Sequence, residues 1–198
     1  MLELLQHHPF PLPGDRPRYP RDRLFDVRHV KLEVAIDLEA RRLWGTCSTT
    51  LAAINDGLSR LEFDCVDLAV KSVSLSGGAP LQHEVSDGRL RIELGAARKA
   101  GDELTTVVEY AAHPRRGLYF IGPDEGYPDK PLQVWSQGQD EDSRHWFPCY
   151  DFPNEQATSE VIVTVPEPLI VISNGLLVAV EVAGEPGTDP AIGNLEWP

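Results

Sequence analysis

The run Val30-Lys31-Leu32-Glu33-Val34-Ala35-Ile36-Asp37-Leu38 alternates apolar residues at even positions with polar or small ones at odd positions. In an extended strand, successive side chains point to opposite faces. A period of two therefore gathers Val30, Leu32, Val34, Ile36 and Leu38 on one buried face. After a short polar link, Leu43, Gly45, Cys47, Thr49, Leu51 and Ala53 repeat the pattern, and the two runs predict a long hairpin. Working outward, Asn55-Asp56-Gly57 is a turn signal, and Leu61 with Phe63, then Val70, Val73 and Leu75, predict two more strands. Leu81–Val85 and Leu90–Leu94 flank Ser86-Asp87-Gly88 as a second hairpin. Further strands are expected at Leu104–Tyr110, Leu118–Ile121, Leu132–Trp135, Val161–Val165, Leu169–Ile172 and Leu176–Val180. No amphipathic helix is visible, and residues 95–101 could form one turn at most. The fold class is therefore all-β, built of packed antiparallel sheets.

Residues 1–24 hold Pro9, Pro11, Pro13, Pro17 and Pro20 and read as an extended arm, because proline fixes φ and lacks an N–H. His7 and His8 lie in that arm and read as part of a solvated tail, not a metal site. Residues 25–198 form one β domain, with a Gly-, Pro- and Asp-rich loop at 183–193. A new strand is expected to begin at Leu195-Glu196-Trp197-Pro198, which suggests a piece of a longer protein.

The net charge of −13 argues against nucleic acid and anionic membranes, whose phosphates need clustered Lys and Arg, and weakly favours cationic ligands such as free amines. No apolar run reaches membrane-spanning length and no secretory leader is visible, so the expected location is cytoplasmic. Cys47, Cys65 and Cys149 are far apart and odd in number, which points to buried thiols, not a disulfide framework.

The stretch Gln137-Gly138-Gln139-Asp140-Glu141-Asp142-Ser143-Arg144-His145-Trp146-Phe147-Pro148-Cys149-Tyr150-Asp151-Phe152-Pro153-Asn154 is too polar and too aromatic for a simple connector. His83-Glu84 resembles the start of a zinc-binding His-Glu-x-x-His helix. It fails because Asp87 stands at the fifth position and the segment is a hairpin. Asp140, Glu141 and Asp142 are contiguous, whereas calcium loops space their oxygens; a solvated face or a pair with Arg144 fits better. Cys149 has only His145 nearby as a base and makes a poor nucleophile. Gln137 and Gln139, at strand spacing, would point the same way, each offering a donor and an acceptor to a peptide backbone or amine. On spacing alone, two exposed polar residues at a strand end remain the plainer reading.

Residues 137–160 closely resemble the N-terminal-domain loop of zinc aminopeptidases of the aminopeptidase N (gluzincin) family. The resemblance rests on Gln137, Gln139, Asp142, Arg144, Phe147-Pro148-Cys149-Tyr150-Asp151-Phe152-Pro153 and Ala157-Thr158-Ser159, at intact spacing. Phe25-Asp26-Val27-x-His29, Gly117-Leu118-Tyr119 and Ile172-Ser173-Asn174-Gly175 extend it to about residues 25–180. It implies a saddle-like, multi-sheet β-sandwich that precedes a thermolysin-like catalytic domain. The Gly-Ala-Met-Glu-Asn and His-Glu-x-x-His motifs of that catalytic domain are not in this chain. The resemblance thus implies no catalytic residue, metal or cofactor here, with zinc in the parent enzyme. Gln137 and Gln139 would bind the first residue of a peptide's N-terminus, and Arg144 and Asp151 would brace the loop. Trp146 and Phe147 would pack beneath it. The partners implied are peptide N-termini and the catalytic domain of the same polypeptide. Gln139 departs from the family's frequent Glu, and Phe152 from another common Glu. A rival expectation is a stand-alone β-sandwich binding or scaffold module without peptidase activity, with Trp135, Trp146 and Tyr150 as an aromatic platform.

Overall fold

A computed structural model describes residues 19–182. Residues 1–18 of the proline-rich arm, the loop at 183–193 and the strand expected from Leu195 lie outside the described residues. Among the described residues, ten strands are arranged in three sheets. In chain order they are β1 (Phe25–Asp37), β2 (Arg42–Ala53), β3 (Leu58–Asp64), β4 (Leu68–Leu75), β5 (His83–Ser86), β6 (Arg89–Arg98), β7 (Glu103–Ala112), β8 (Leu118–Ile121), β9 (Gln133–Ser136) and β10 (Thr158–Thr164). The largest sheet runs β10-β1-β2-β7-β4, the second β3-β6-β5, and β8 and β9 pair alone. The only helical segment among the described residues is a 3₁₀ turn at Ser143–His145.

The β1–β2 hairpin shows how the pattern becomes structure. Leu32 pairs with Cys47 and Ile36 with Leu43 in an antiparallel ladder. Between Val27 and His29 the register shifts, leaving Arg28 without an opposite residue. Such a bulge reverses the face on which later side chains fall. That is why Phe25 and Val27 are buried at odd positions while Leu32 and Val34 are buried at even ones. One core takes side chains from all three sheets, among them Leu43 and Leu51, Leu61 and Phe63, Leu90 and Ile92, Val108 and Tyr110, and Leu118. Cys47 and Cys65 are free thiols within it, and burial pushes each pKa up to about 12.

Three details differ from the sequence expectation. First, not every ladder is antiparallel: β10 returns after the long loop and pairs parallel with β1, His29 opposite Thr158 and Ala35 opposite Thr164. Second, Leu169–Ile172 and Leu176–Val180 form no ladder. Their alternation suits a strand, but a strand needs a neighbour for its N–H and C=O groups, and none pairs with them among the described residues. Ile172 and Leu176 stand 86% and 89% exposed. Residues 95–98, considered for a helical turn, complete β6 instead.

Candidate functional site

The site grows from the β8–β9 hairpin. Tyr119 pairs with Trp135, and their rings stack at 4.8 Å. Cross-strand partners share a face, so this stack lies opposite the face on which Leu118, Phe120 and Val134 reach the core. Pairing continues one step further, as the Gln137 N–H donates to the Gly117 carbonyl at 2.8 Å. Gln137 thus lies on the Trp135 side, two residues on. The ladder ends before Gln139, which precedes a cis peptide bond to Asp140. Both glutamines are exposed, and neither side chain hydrogen-bonds to another described residue.

Gly117 is what lets the loop cross at this point. Its φ is +73°, and a Cβ there would sit 2.0 Å from the Asp142 carbonyl oxygen and 2.8 Å from a Trp146 ring carbon. The loop then folds back on itself, the Asp142 N–H donating to the Gly138 carbonyl at 2.9 Å. The 3₁₀ turn follows and carries Arg144.

Arg144 converges with three carboxylates. Its Nε donates to Asp151 Oδ2 at 3.0 Å, its Nη2 to Glu141 Oε2 at 3.0 Å, and its Nη1 stands 3.5 Å from Asp64 Oδ1. The Arg144 N–H also donates to Asp151 Oδ2, at 3.1 Å. Glu141 is therefore committed to an arginine. Burial works against the Arg144 charge, but Asp151, Asp64 and Glu141 together outweigh it and raise its pKa. For Asp151 the balance falls the other way: burial pushes its carboxyl above the ordinary aspartate value despite the donors on Arg144.

Asp64, at the end of β3, gave no signal in the sequence. It is 1% exposed, and its Oδ2 accepts the Asp151 N–H at 3.1 Å, 87 residues along the chain. The two segments are also tied through the backbone, the Asp64 N–H donating to the Cys149 carbonyl at 2.6 Å and the Cys149 N–H to the Asp64 carbonyl at 3.1 Å. An acid at a strand end has no local mark that predicts distant partners. Trp146 and Phe147 are half-buried, meet edge-to-face at 4.6 Å and pack against the core. Cys149 is buried, with its thiol pKa pushed well above the usual value by burial first and by Asp151 next. His83 and Glu84 lie exposed on β5, far along the chain from this loop.

Residues 26–187 match the family described as the peptidase M1 N-terminal domain. The chain belongs to that family. Leukotriene A-4 hydrolase of Xenopus laevis is 24% identical over 158 residues, which cover 77% of this chain and 26% of that protein. Transcription initiation factor TFIID subunit 2 of Danio rerio is 33% identical over 102 residues, covering 48% of this chain and 9% of that protein. Among solved structures, the M1 zinc metallopeptidase of Deinococcus radiodurans superposes with a TM-score of 0.67 at 22% identity, over 79% of this chain and 36% of the other. That likeness is one of fold. This M1 N-terminal domain spans only 26% of the leukotriene hydrolase and 36% of the metallopeptidase chain.

Proposed function

We propose that this M1 N-terminal domain walls the substrate cleft of a zinc metalloaminopeptidase, which removes N-terminal residues from peptides, and docks on its catalytic domain. The observation that carries the reading is the pair Gln137 and Gln139. Both are exposed and uncommitted among the described residues, on a loop that other side chains help hold in place. Each amide carbonyl can accept from a peptide's ammonium, and each amide NH₂ can donate to a backbone carbonyl. The net charge of −13 adds a weak attraction for a cationic amine.

Among the described residues, no group of three or more His, Cys, Asp or Glu side chains is placed to hold a metal ion. Of the loop acids, Glu141 and Asp151 are taken by Arg144. The share proposed for this chain is binding and positioning. The zinc proposed for the parent would lie elsewhere in that protein. The docking surface is proposed on the apolar stretch that includes Ile170, Ile172, Leu176, Leu177 and Val178, whose exposure is unusual for a surface segment. Three buried free thiols accord with a reducing, cytoplasmic setting.

A second reading has its own support. The similarity to a protein named as a transcription initiation factor subunit shows this kind of sequence under a name other than peptidase. In that reading the domain is a scaffold module without peptidase activity.

The deciding experiment is hydrolysis of a panel of aminoacyl-coumarin amides with added zinc. It compares the 198-residue chain with the product of the whole open reading frame. Cleavage by the longer protein alone supports the aminopeptidase reading. A longer protein inert across the panel overturns it and leaves the scaffold.

A further inference from the structure

The 137–154 loop has no ladder of its own among the described residues: its backbone ties outside the 3₁₀ turn include the Asp64–Cys149 bridge, Gln137 to Gly117, Asp142 to Gly138, and the Val66 N–H donating to the Arg144 carbonyl at 3.0 Å. Side chains add to that hold, and one of the best placed belongs to the segment before β1. Arg21 Nη2 donates to Asp64 Oδ2 at 2.7 Å, and its Nη1 donates to Glu62 Oε1 at 2.6 Å. That Asp64 oxygen is the one that accepts the Asp151 N–H. The Arg21 guanidinium also lies over two rings of the loop, 5.1 Å from the centre of Tyr150 and 5.5 Å from that of Phe152. The Tyr150 hydroxyl closes the contact by donating to the Arg21 carbonyl at 3.1 Å. Arg144 reaches Phe152 too, at 5.7 Å, so the ring lies within reach of two guanidinium groups. Two residues after Arg21, Arg23 repeats the device. It donates to both oxygens of Glu155 at 2.9 and 3.2 Å, and that side chain is 7% exposed.

From this geometry we propose that Arg21 is a positioning residue for the peptide-facing loop, and that the segment leading into β1 is the strap that carries it. The inference rests on the reading of that loop given above. The path is continuous: Arg21 holds Asp64, Asp64 holds the Asp151 amide and faces Arg144, and the turn bearing Arg144 is tied through Asp142 to Gly138, between the two glutamines. Partly buried, charge-assisted hydrogen bonds of this kind are stronger than neutral ones. A loop with few ladder bonds depends on them for its local stability.

Arg21→Met keeps the apolar stem and removes the donors. In the 198-residue chain, hydrogen exchange of the amides from 142 to 152 is expected to speed up roughly tenfold, while β2 and β7 amides stay unchanged. Unchanged exchange in the loop overturns the proposal. Should Arg21→Met fail to fold, Tyr150→Phe removes only the hydroxyl contact to the Arg21 carbonyl. It is expected to speed the same amides about threefold, and no change there would equally overturn the strap. In the product of the whole open reading frame, Arg21→Met is expected to raise KM for aminoacyl-coumarin amides while kcat stays within about twofold, and Arg21→Lys to recover part of the loss. A merely destabilised enzyme would lose active molecules, lowering kcat at unchanged KM. If loop exchange rises but KM does not move, the strap stands and the peptide-facing reading fails.

Discussion

Gly117→Ala tests whether the loop crosses the β8 strand entrance as tightly as the geometry demands. Two costs arise. The first is conformational: at φ +73°, an L-residue pays on the order of 1 kcal/mol. The second is steric, because the new methyl would sit 2.0 Å from the Asp142 carbonyl oxygen. That oxygen is backbone and cannot rotate away, and the Trp146 ring behind it is packed against the core. Relief requires the 3₁₀ turn to shift, an overpacking cost of roughly 1–3 kcal/mol. The sum is about 2–4 kcal/mol, which lowers Tm by about 5–15 °C for a chain of this length. Gly101→Ala is the control. Its φ is +85°, yet a Cβ there meets nothing within 4 Å, so only the conformational cost applies. Urea unfolding of both variants, followed by far-UV circular dichroism, isolates the steric part as a difference. Equal losses at the two positions would refute the close crossing of Gly117 and Asp142.

Other outcomes follow from the same contacts. Gln137→Ala and Gln139→Ala are expected to leave stability unchanged, because both side chains are exposed and uncommitted among the described residues. In the longer protein each is expected to lower kcat/KM by about tenfold or more, the effect of losing one hydrogen bond to a charged amine; wild-type kinetics in both would remove these residues from the site. Asp64→Ala is expected to cost about 3–5 kcal/mol in urea unfolding, since it strips partners from Arg21 and Arg144 and leaves the Asp151 N–H unsatisfied. A loss under about 1 kcal/mol would show that the ion cluster does not hold the loop. Burial pushes the Glu62 carboxyl up, but Arg21 and Arg89 together outweigh it and hold it below its ordinary value of 4.5. A carboxyl with a lowered folded-state pKa stabilises above its unfolded value, and that stability is lost as pH falls through the folded one. The stability gap between the wild type and Glu62→Gln is therefore expected to be widest near about pH 6 and to close toward about pH 3. A gap that stays constant over that range would contradict the pairing.

The strands were legible because alternation is local: the fate of Leu32 or Val108 can be read from residues two positions away. The hairpins were legible for the same reason, through Ser86-Asp87-Gly88 and its neighbours. The special loop announced itself by composition and by its resemblance to a family. Local pattern misled at Leu169–Ile172 and Leu176–Val180, where the period was right but no partner strand is supplied by the described residues. What tertiary structure alone decided is whatever joins distant positions. Nothing near Thr158–Thr164 says that β10 would lie parallel to β1, and nothing near Asp64 says that it would meet Asp151. Arg21 falls in the arm that the sequence reads only as extended, because its partners Asp64, Tyr150 and Phe152 are far along the chain. Side-chain periodicity is set by each residue's own backbone. Ion pairs and sheet order are set only once burial has brought the strands together, so a sequence shows the first and leaves the second to the fold.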